Sequence, residues 1–323
     1  MKKWILRILV ILVIFIAGGL AYLKLVLPKI DKAENIQIKS TPEMIQRGAY
    51  LANHVCVCMD CHSTRDWSKF SGPIVQGTLG KGGEKFTREL GFPGIFYSKN
   101  LTPSELKNWT DGEIIRAITS GVTKDGKALF PIMPYLHYNK MDKNDIIAIV
   151  AYLRTLQPIE NKTPDAEIDF PMNFILNTIP QNASFSTRPS QNNLVDYGAY
   201  LVNASGCVEC HTQANKGQID IEKAFSGGRK FDLTKDKVIV SSNITTDIET
   251  GIGSWTEEIF VSKFKYYADT ANITTYTSPK DFQTIMPWTM YAGMDTFDLK
   301  AIYAYLKTIK PIKNKVVSNP ISE

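Results

Sequence analysis

Two short stretches carry residues able to act together chemically: Cys58-Met59-Asp60-Cys61-His62 and Cys207-Val208-Glu209-Cys210-His211. In each, two thiols stand one helical turn apart and a histidine follows at once. That spacing attaches a c-type haem: the sulfurs add across the two vinyl groups of one porphyrin, and the adjacent imidazole meets iron from the proximal side. The pattern predicts two covalently bound haems c, with Cys58, Cys61, Cys207 and Cys210 as attachment residues and His62 and His211 as iron ligands. A zinc or thiol-redox reading fares worse, because each copy supplies two Cys and one His but no fourth ligand at a matched position.

A sixth iron ligand must come from elsewhere. Met133 and Met286 each follow a haem motif at a similar distance, and each precedes Pro, an aromatic and a closing helix. A thioether there favours ferrous iron, and the proline stiffens the segment that presents it. His137, four residues beyond Met133, is the rival ligand; the second copy has Met290 there. His54 lies too close before the first motif to reach the distal face, which leaves it a propionate or surface role. Met141 and Met294 correspond between copies and read as packing residues. Cys56 is the one cysteine outside the motifs; it reads as a buried thiol, with a part as sulfur ligand or redox partner left open.

These residues sit in a repeat with an offset of about 150 residues, the length of a duplicated domain. Gly48-Ala49-Tyr50-Leu51 recurs as Gly198-Ala199-Tyr200-Leu201, and Gly82-Gly83 as Gly227-Gly228. Asn100-Leu101-Thr102 with Trp109-Thr110 recurs as Asn243-Ile244-Thr245 with Trp255-Thr256. Met133-Pro134-Tyr135 recurs as Met286-Pro287-Trp288, and Ala151-Tyr152-Leu153 as Ala304-Tyr305-Leu306. The landmarks divide the chain into a membrane anchor (1–30), a linker (31–40), a first domain (41–160), a Pro-rich connection (161–192), a second domain (193–315) and a tail (316–323). Thr41-Pro42 opens a helix. Asp142 with Asp145, and Asp295 with Asp298, form capping-box-like pairs ahead of helices 146–156 and 299–309. The Gly-rich stretches read as loops, and Ile95-Phe96-Tyr97 and Val238-Ile239-Val240 as possible short strands. The fold class expected is all-α: two tandem cytochrome c domains after an N-terminal transmembrane helix.

Lys2, Lys3 and Arg7 precede an uninterrupted apolar run from Ile8 to Leu23. The run is long enough to span a bilayer, and the positive-inside rule places the bulk of the chain on the periplasmic side of an inner membrane. A cleaved signal peptide is the alternative. Residues 1–30 hold five basic groups; without them, 32 Lys and Arg balance 32 Asp and Glu. A neutral body carries no electrostatic footprint for nucleic acid, and none that would identify a protein partner.

The order Gly-Ala-Tyr-Leu, Cys-x-x-Cys-His, Gly-Gly, Asn-[Leu/Ile]-Thr, Trp-Thr, Met-Pro-aromatic, twice over, resembles periplasmic multihaem cytochromes c. The likeness is greatest to the cytochrome c subunits of membrane-bound alcohol, aldehyde and gluconate dehydrogenases, and it covers about residues 41–312. Those subunits usually carry three haem motifs, against two in this chain. The resemblance implies a compact helical fold in each half, with the helix carrying Gly48 crossing the one carrying Tyr152, and Gly198 likewise crossing Tyr305. It also raises Arg229 as a neighbour of a haem propionate or, equally, a plain surface residue; the first copy has Glu84 there. The function expected is single-electron relay between a periplasmic dehydrogenase and a quinone or oxidase of the respiratory chain, with no catalytic residues of its own. A dihaem enzyme of peroxidase or thiosulfate-oxidising type, using His137 or Cys56 at one iron, is the alternative.

Overall fold

The computed structural model describes residues 2–215, 217–234, 237–276 and 281–317; most of the expected tail, residues 318–323, lies outside them. It is mainly helical. In chain order the helices of the first half are α1 (Lys2–Leu25), α2 (Pro42–Tyr50), α3 (Cys58–Cys61), α4 (Pro103–Leu106), α5 (Asp111–Ser120), α6 (Tyr135–Tyr138) and α7 (Lys143–Leu153). α8 (Met172–Ile175) lies in the connection, and α9 (Leu194–Ala204), α10 (Cys207–Cys210), α11 (Glu257–Lys265), α12 (Trp288–Tyr291) and α13 (Thr296–Leu306) form the second half. The second half thus repeats α2, α3, α5, α6 and α7 in the same order.

The all-α expectation needs one correction. β1 (Lys85–Phe86), β2 (Gly94–Tyr97) and β3 (Glu167–Ile168) make a small antiparallel sheet. β4 (Ala214–Asn215) pairs with β5 (Gln218–Ile219), and β6 (Lys230–Thr234) with β7 (Lys237–Val240). β2 and β7 include the two suspected strands, each alternating buried and half-buried residues as a one-faced strand must.

Each half is built on one helix crossing. Thr41 caps α2, its hydroxyl accepting from Met44 N at 3.2 Å, and α2 then packs along α7; α9 packs along α13 in the same way. Gly48 makes the first crossing possible: a Cβ there would stand 1.8 Å from the Ala148 carbonyl oxygen. At Gly198 it would stand 1.9 Å from that of Ala301. The expected crossings are present, and they are too close for any side chain.

The aspartates ahead of α7 and α13 work differently from a capping box. Asp142 does cap α7, accepting from Asn144 N at 2.8 Å, but Asp145 turns away. It accepts from Arg47 Nε at 3.0 Å, Arg188 NH1 at 2.7 Å and Tyr200 Oη at 2.7 Å. Asp298 accepts from Tyr50 Oη at 2.7 Å. A buried carboxylate beside a guanidinium gains more than one returned to a helix end that solvent can serve.

Those bonds also join the halves. Tyr50 of α2 reaches Asp298, and Tyr200 of α9 reaches Asp145; each hydroxyl in turn accepts a backbone N–H, from Asp295 at 3.0 Å and Asp142 at 3.2 Å. His54 Nδ1 meets the Met290 carbonyl at 2.9 Å, while Asn203 Nδ2 donates to the His137 carbonyl at 3.0 Å. Contacts exchanged in this way, residue for matching residue, are those of a two-fold pair. His54 is therefore half-buried between the halves, and the surface role expected for it is corrected.

One residue breaks the match. Ten positions separate Gly48 from Cys58, but nine separate Gly198 from Cys207. The first copy absorbs its extra residue in a single wide turn over Leu51–Val55, with Cys56 N bonded back to Leu51 O at 2.7 Å. That turn carries His54 to the other half.

The two connecting stretches are packed. Ile38 N donates to Asp111 Oδ2 at 2.8 Å, and Lys143 pairs with Glu34 at 2.7 Å. In the later connection Ser184 N donates to Asn139 O at 2.9 Å, and Arg188 reaches Asp145. α1 is long and apolar enough to cross a membrane, and none of its residues is buried.

The copies differ in charge at their matching aspartates. Arg47 and Tyr200 hold Asp145 below its ordinary value of 3.8 against the opposing effect of burial. At Asp298 burial wins over the Tyr50 and Tyr197 hydroxyls, and its value is raised. Asp145 thus contributes stability that is present above about pH 3.8 and drains away as pH falls through its lower native value; Asp298 runs the other way, weakening the fold as pH rises through its raised one. Asp145→Asn is expected to cost about 2–3 kcal/mol at pH 7 and to flatten the acid limb of the stability curve, whereas Asp298→Asn costs less at pH 7 than at pH 3. Urea unfolding between pH 3 and 8 checks both; equal losses for the two variants would contradict the assignment.

Candidate functional site

Each Cys-x-x-Cys-His stretch forms one turn of helix entered through a left-handed residue. Gly206 (φ 63°) precedes Cys207 and suits the conformation; Val57 (φ 45°) precedes Cys58 and, being β-branched, does not. The histidines close the turns, His62 N bonding to Cys58 O at 3.1 Å and His211 N to Cys207 O at 3.0 Å. Both thiols of a copy therefore lie on one turn beside their imidazole.

Each imidazole is fixed through one nitrogen. His62 Nδ1 lies 2.6 Å from the Lys99 carbonyl oxygen, and His211 Nδ1 lies 2.8 Å from that of Ser242. A carbonyl only accepts, so Nδ1 carries the proton and Nε2 keeps its lone pair, the state in which histidine binds a metal. Burial holds both rings below the usual histidine range, against the pull of those carbonyls.

The repeated motifs surrounding the turns build this arrangement. Gly82 N donates to His62 O at 2.8 Å, and Gly227 N to His211 O at 2.8 Å. Both glycines are left-handed and lie flat on the chain that presents the accepting carbonyl: a Cβ at Gly82 would stand 2.6 Å from Lys99 C, and one at Gly227 would stand 2.4 Å from Ser242 C. The next residue of that chain is the repeated Asn. Asn100 Oδ1 accepts from Thr102 N and Oγ1, both at 2.8 Å, while its amide donates to Ile159 O at 2.7 Å. Asn243 does the same with Thr245 and with Ile312 O, at 2.7–2.9 Å. Gly-Gly and Asn-x-Thr therefore form a brace that ties each imidazole to the end of its own half. Sequence reasoning noticed these motifs without finding their work.

Met133 and Met286, the expected sixth ligands, occupy matching turns. Tyr135 N donates to Met133 O at 2.7 Å and Trp288 N to Met286 O at 2.8 Å, across prolines with φ −79° and −80°. Both methionines are half-buried and pack on the core that also receives Cys58 and Cys207. The second turn is gripped by the first half: Ser71 Oγ donates to Met286 O at 2.6 Å and accepts from Trp288 N at 3.0 Å, and Gln283 Oε1 accepts from Ser71 N at 2.8 Å.

The rival residues are occupied elsewhere. His137 uses both nitrogens, Nδ1 at 3.0 Å from Asn203 Oδ1 and Nε2 at 2.8 Å from Glu209 Oε1. Cys56 is buried, its sulfur 3.8 Å from Met141 Sδ, and burial pushes its thiol up. Met141 and Met294 are buried packing residues, as expected. Arg229 pairs with Glu209 at 3.7 Å, inside the second motif. Its counterpart Glu84 accepts from Trp67 Nε1 at 3.1 Å. The acid within each motif went unnoticed in the sequence: Asp60, raised to about 6 by burial, pairs with Arg65 at 2.9 Å, whereas Glu209 faces His137.

The donor set fits the group that the motif implies. Burial raises the thiols of Cys58, Cys61 and Cys207 to about 12, so they are not the stabilised thiolates of a redox Cys-x-x-Cys pair. Among the described residues no three His, Cys, Asp or Glu side chains gather to hold a bare metal ion. One histidine with a free Nε2 beside two neutral thiols suits a metal that brings its own equatorial ligands. Trp109 Nε1 and Tyr135 Oη are buried without a hydrogen-bond partner among the described residues, two polar atoms that a bound group can satisfy.

No protein-family profile matches the chain. It is similar to the cytochrome c subunit of alcohol dehydrogenase (quinone) from Gluconacetobacter polyoxogenes, at 27% identity over 83% of the chain and 56% of the relative. The fructose dehydrogenase cytochrome subunit of Gluconobacter japonicus is 29% identical over 66% of the chain and 43% of the relative. The gluconate 2-dehydrogenase cytochrome c subunit of Pantoea cypripedii is 26% identical over 73% of the chain and 54% of the relative. The chain thus spans about half the length of the curated relatives it matches. Over most of its own length, this chain is a homologue of the cytochrome c subunits of alcohol, fructose and gluconate dehydrogenases.

Proposed function

We propose that the chain is a membrane-anchored dihaem cytochrome c that relays single electrons from a periplasmic dehydrogenase to a quinone or oxidase of the respiratory chain. Residues 41–160 and 193–315 would each be a cytochrome c domain, held by α1 at the periplasmic face of the inner membrane. The observation that carries the reading is the twice-built bond from a histidine Nδ1 to a braced carbonyl, under a turn bearing two thiols.

Haem, when bound, supplies the one-electron ferric/ferrous couple. The protein's work is positional. Cys58 with Cys61, and Cys207 with Cys210, would hold the ring through thioethers. His62 and His211 present Nε2, and the Lys99 and Ser242 carbonyls hold each imidazole in that tautomer. Met133 and Met286 would supply the second, soft sulfur ligand, from turns that proline and backbone hydrogen bonds stiffen. With His62 and Met133, and His211 and Met286, as protein ligands, haem iron would have no open position for a substrate, so the chain would move electrons without transforming a molecule. The engagement of both His137 nitrogens weighs against the peroxidase-type alternative.

Spectroscopy of the holoprotein tests the reading. Two haems showing the red charge-transfer band of ferric Met–haem, neither binding carbon monoxide, are the expected result. A haem that binds carbon monoxide without denaturant would overturn the relay and return Met133, Met286 and His137 to examination as residues of an enzyme.

A further inference from the structure

The connection between the halves bears on how the molecule meets the membrane. α8 and the tight turn after it, Leu176–Thr178, pack against the last turns of α1. Asn177 Nδ2 donates to the Leu23 carbonyl at 2.9 Å. Leu20 and Leu23 are half-covered there, while the preceding helix residues 2–19 are exposed. Leu23 is the last residue of the apolar run and Lys24 the first charge after it. A span of about 20 residues crosses the hydrocarbon of a bilayer, so a helix spanning through Ile8–Leu23 leaves it close to Lys24. The packed segment consequently sits at the depth where acyl chains give way to headgroups.

At that depth the segment turns apolar side chains outward. Phe170 is 75% exposed and Ile175 43% exposed. Phe174 meets Phe170 edge-on, ring centres 6.2 Å apart. Leu176 is buried and pins the segment to the protein behind it. Exposed aromatic and aliphatic side chains on a short, rigidly backed segment beside a membrane span are the pattern of an interfacial anchor.

We propose that residues 170–176 form a second membrane contact, a foot whose Phe170, Phe174 and Ile175 enter the outer edge of the bilayer beside α1. The occupant of this face is lipid. Two attachments, one spanning and one interfacial, fix the tilt of the globular body, which a single helix on a short leash does not. The proposal rests on the reading of α1 as a membrane span.

The test uses the full chain with its haems in lipid nanodiscs, with an environment-sensitive fluorophore placed by Phe170→Cys, Ile175→Cys, Leu12→Cys or Ile248→Cys. Cys56 is buried, and haem attachment as proposed would consume the motif cysteines, so labelling is selective. Ile248, 74% exposed and in the second half, reports the aqueous surface. With lipids brominated near the headgroup, Phe170 and Ile175 labels are expected to lose at least half their emission, and the Ile248 label none. Deep-brominated lipids should quench the Leu12 label. Quenching at Leu12, with Phe170 and Ile175 behaving as Ile248, would overturn the foot and leave the anchor standing. Blue-shifted but unquenched emission at Phe170 would overturn it too, in favour of a protein partner or a second copy. No quenching at Leu12 would remove the span and the foot together.

Discussion

Gly48→Ala is expected to destabilise the protein by about 3 kcal/mol, and Gly198→Ala by a similar amount. The sign is the informative part. At an ordinary helix-interior site the same change stabilises by about 0.5–1 kcal/mol, because glycine loses more backbone freedom on folding. Here the added methyl would stand 1.8 Å from the Ala148 carbonyl oxygen in one half, and 1.9 Å from that of Ala301 in the other. Both obstacles are backbone, which no rotamer change can move. α2 must therefore lift from α7, or α9 from α13, and each separation opens the core around Leu51 and Ile149, or Leu201 and Ile302. Urea unfolding followed by circular dichroism checks this. An unchanged or raised midpoint would mean that the crossings are wider than described.

Replacing Cys207 and Cys210 together by serine is expected to halve the covalently bound haem. The denatured chain should then carry one haem by mass, and the remaining spectrum should belong to the first half alone. Cys58→Ser with Cys61→Ser should leave the complementary remainder. Cys56→Ser should keep both haems and cost about 1–2 kcal/mol, since its buried sulfur faces Met141 and a hydroxyl gains no partner there. Full haem loading in the Cys207/Cys210 variant would sink the attachment assignment. Loss of both haems would instead show that the halves mature together, in keeping with the hydrogen bonds that cross between them.

The two Cys-x-x-Cys-His turns were legible in the sequence because their spacing is strictly local, and local spacing survives in a string. The Cys-x-x-Cys-His turns and the capping Thr41 are features of residues within a few positions of one another, whereas the glycine crossings join distant segments and were expected only from the family resemblance. What escaped was whatever depends on the meeting of distant segments. Asp142 with Asp145 satisfies a capping-box spacing, yet Asp145 serves Arg47, Arg188 and Tyr200, none of them near it in sequence. His137 looked like a ligand by its distance from Met133, but Asn203 and Glu209 of the other half claim it. The Pro-rich stretch 161–192 looked like a spacer because its composition lacks a hydrophobic period. Its backbone donors nevertheless find acceptors on the first half, and β3 adds to the first half's sheet. The braces of Gly-Gly and Asn-x-Thr were visible as words and opaque as function, since what they position is a single backbone carbonyl, that of Lys99 or Ser242.

The reciprocal bonding of the halves leaves the two copies free to differ. A homodimer built from one such half would be degenerate: each centre would feel the same field, and nothing would mark one as entry and the other as exit. Carrying both copies on one chain releases them from that equality while keeping the handshake. Asp145 lies between two guanidiniums, and its twin Asp298 between two phenols. The motif acids have parted in the same way, Asp60 buried with Arg65 and Glu209 turned to His137. Symmetry thus survives in the geometry and is broken in the electrostatics. Two redox groups held as proposed, one in each half, would therefore sit in unlike electrostatic surroundings on a shared frame.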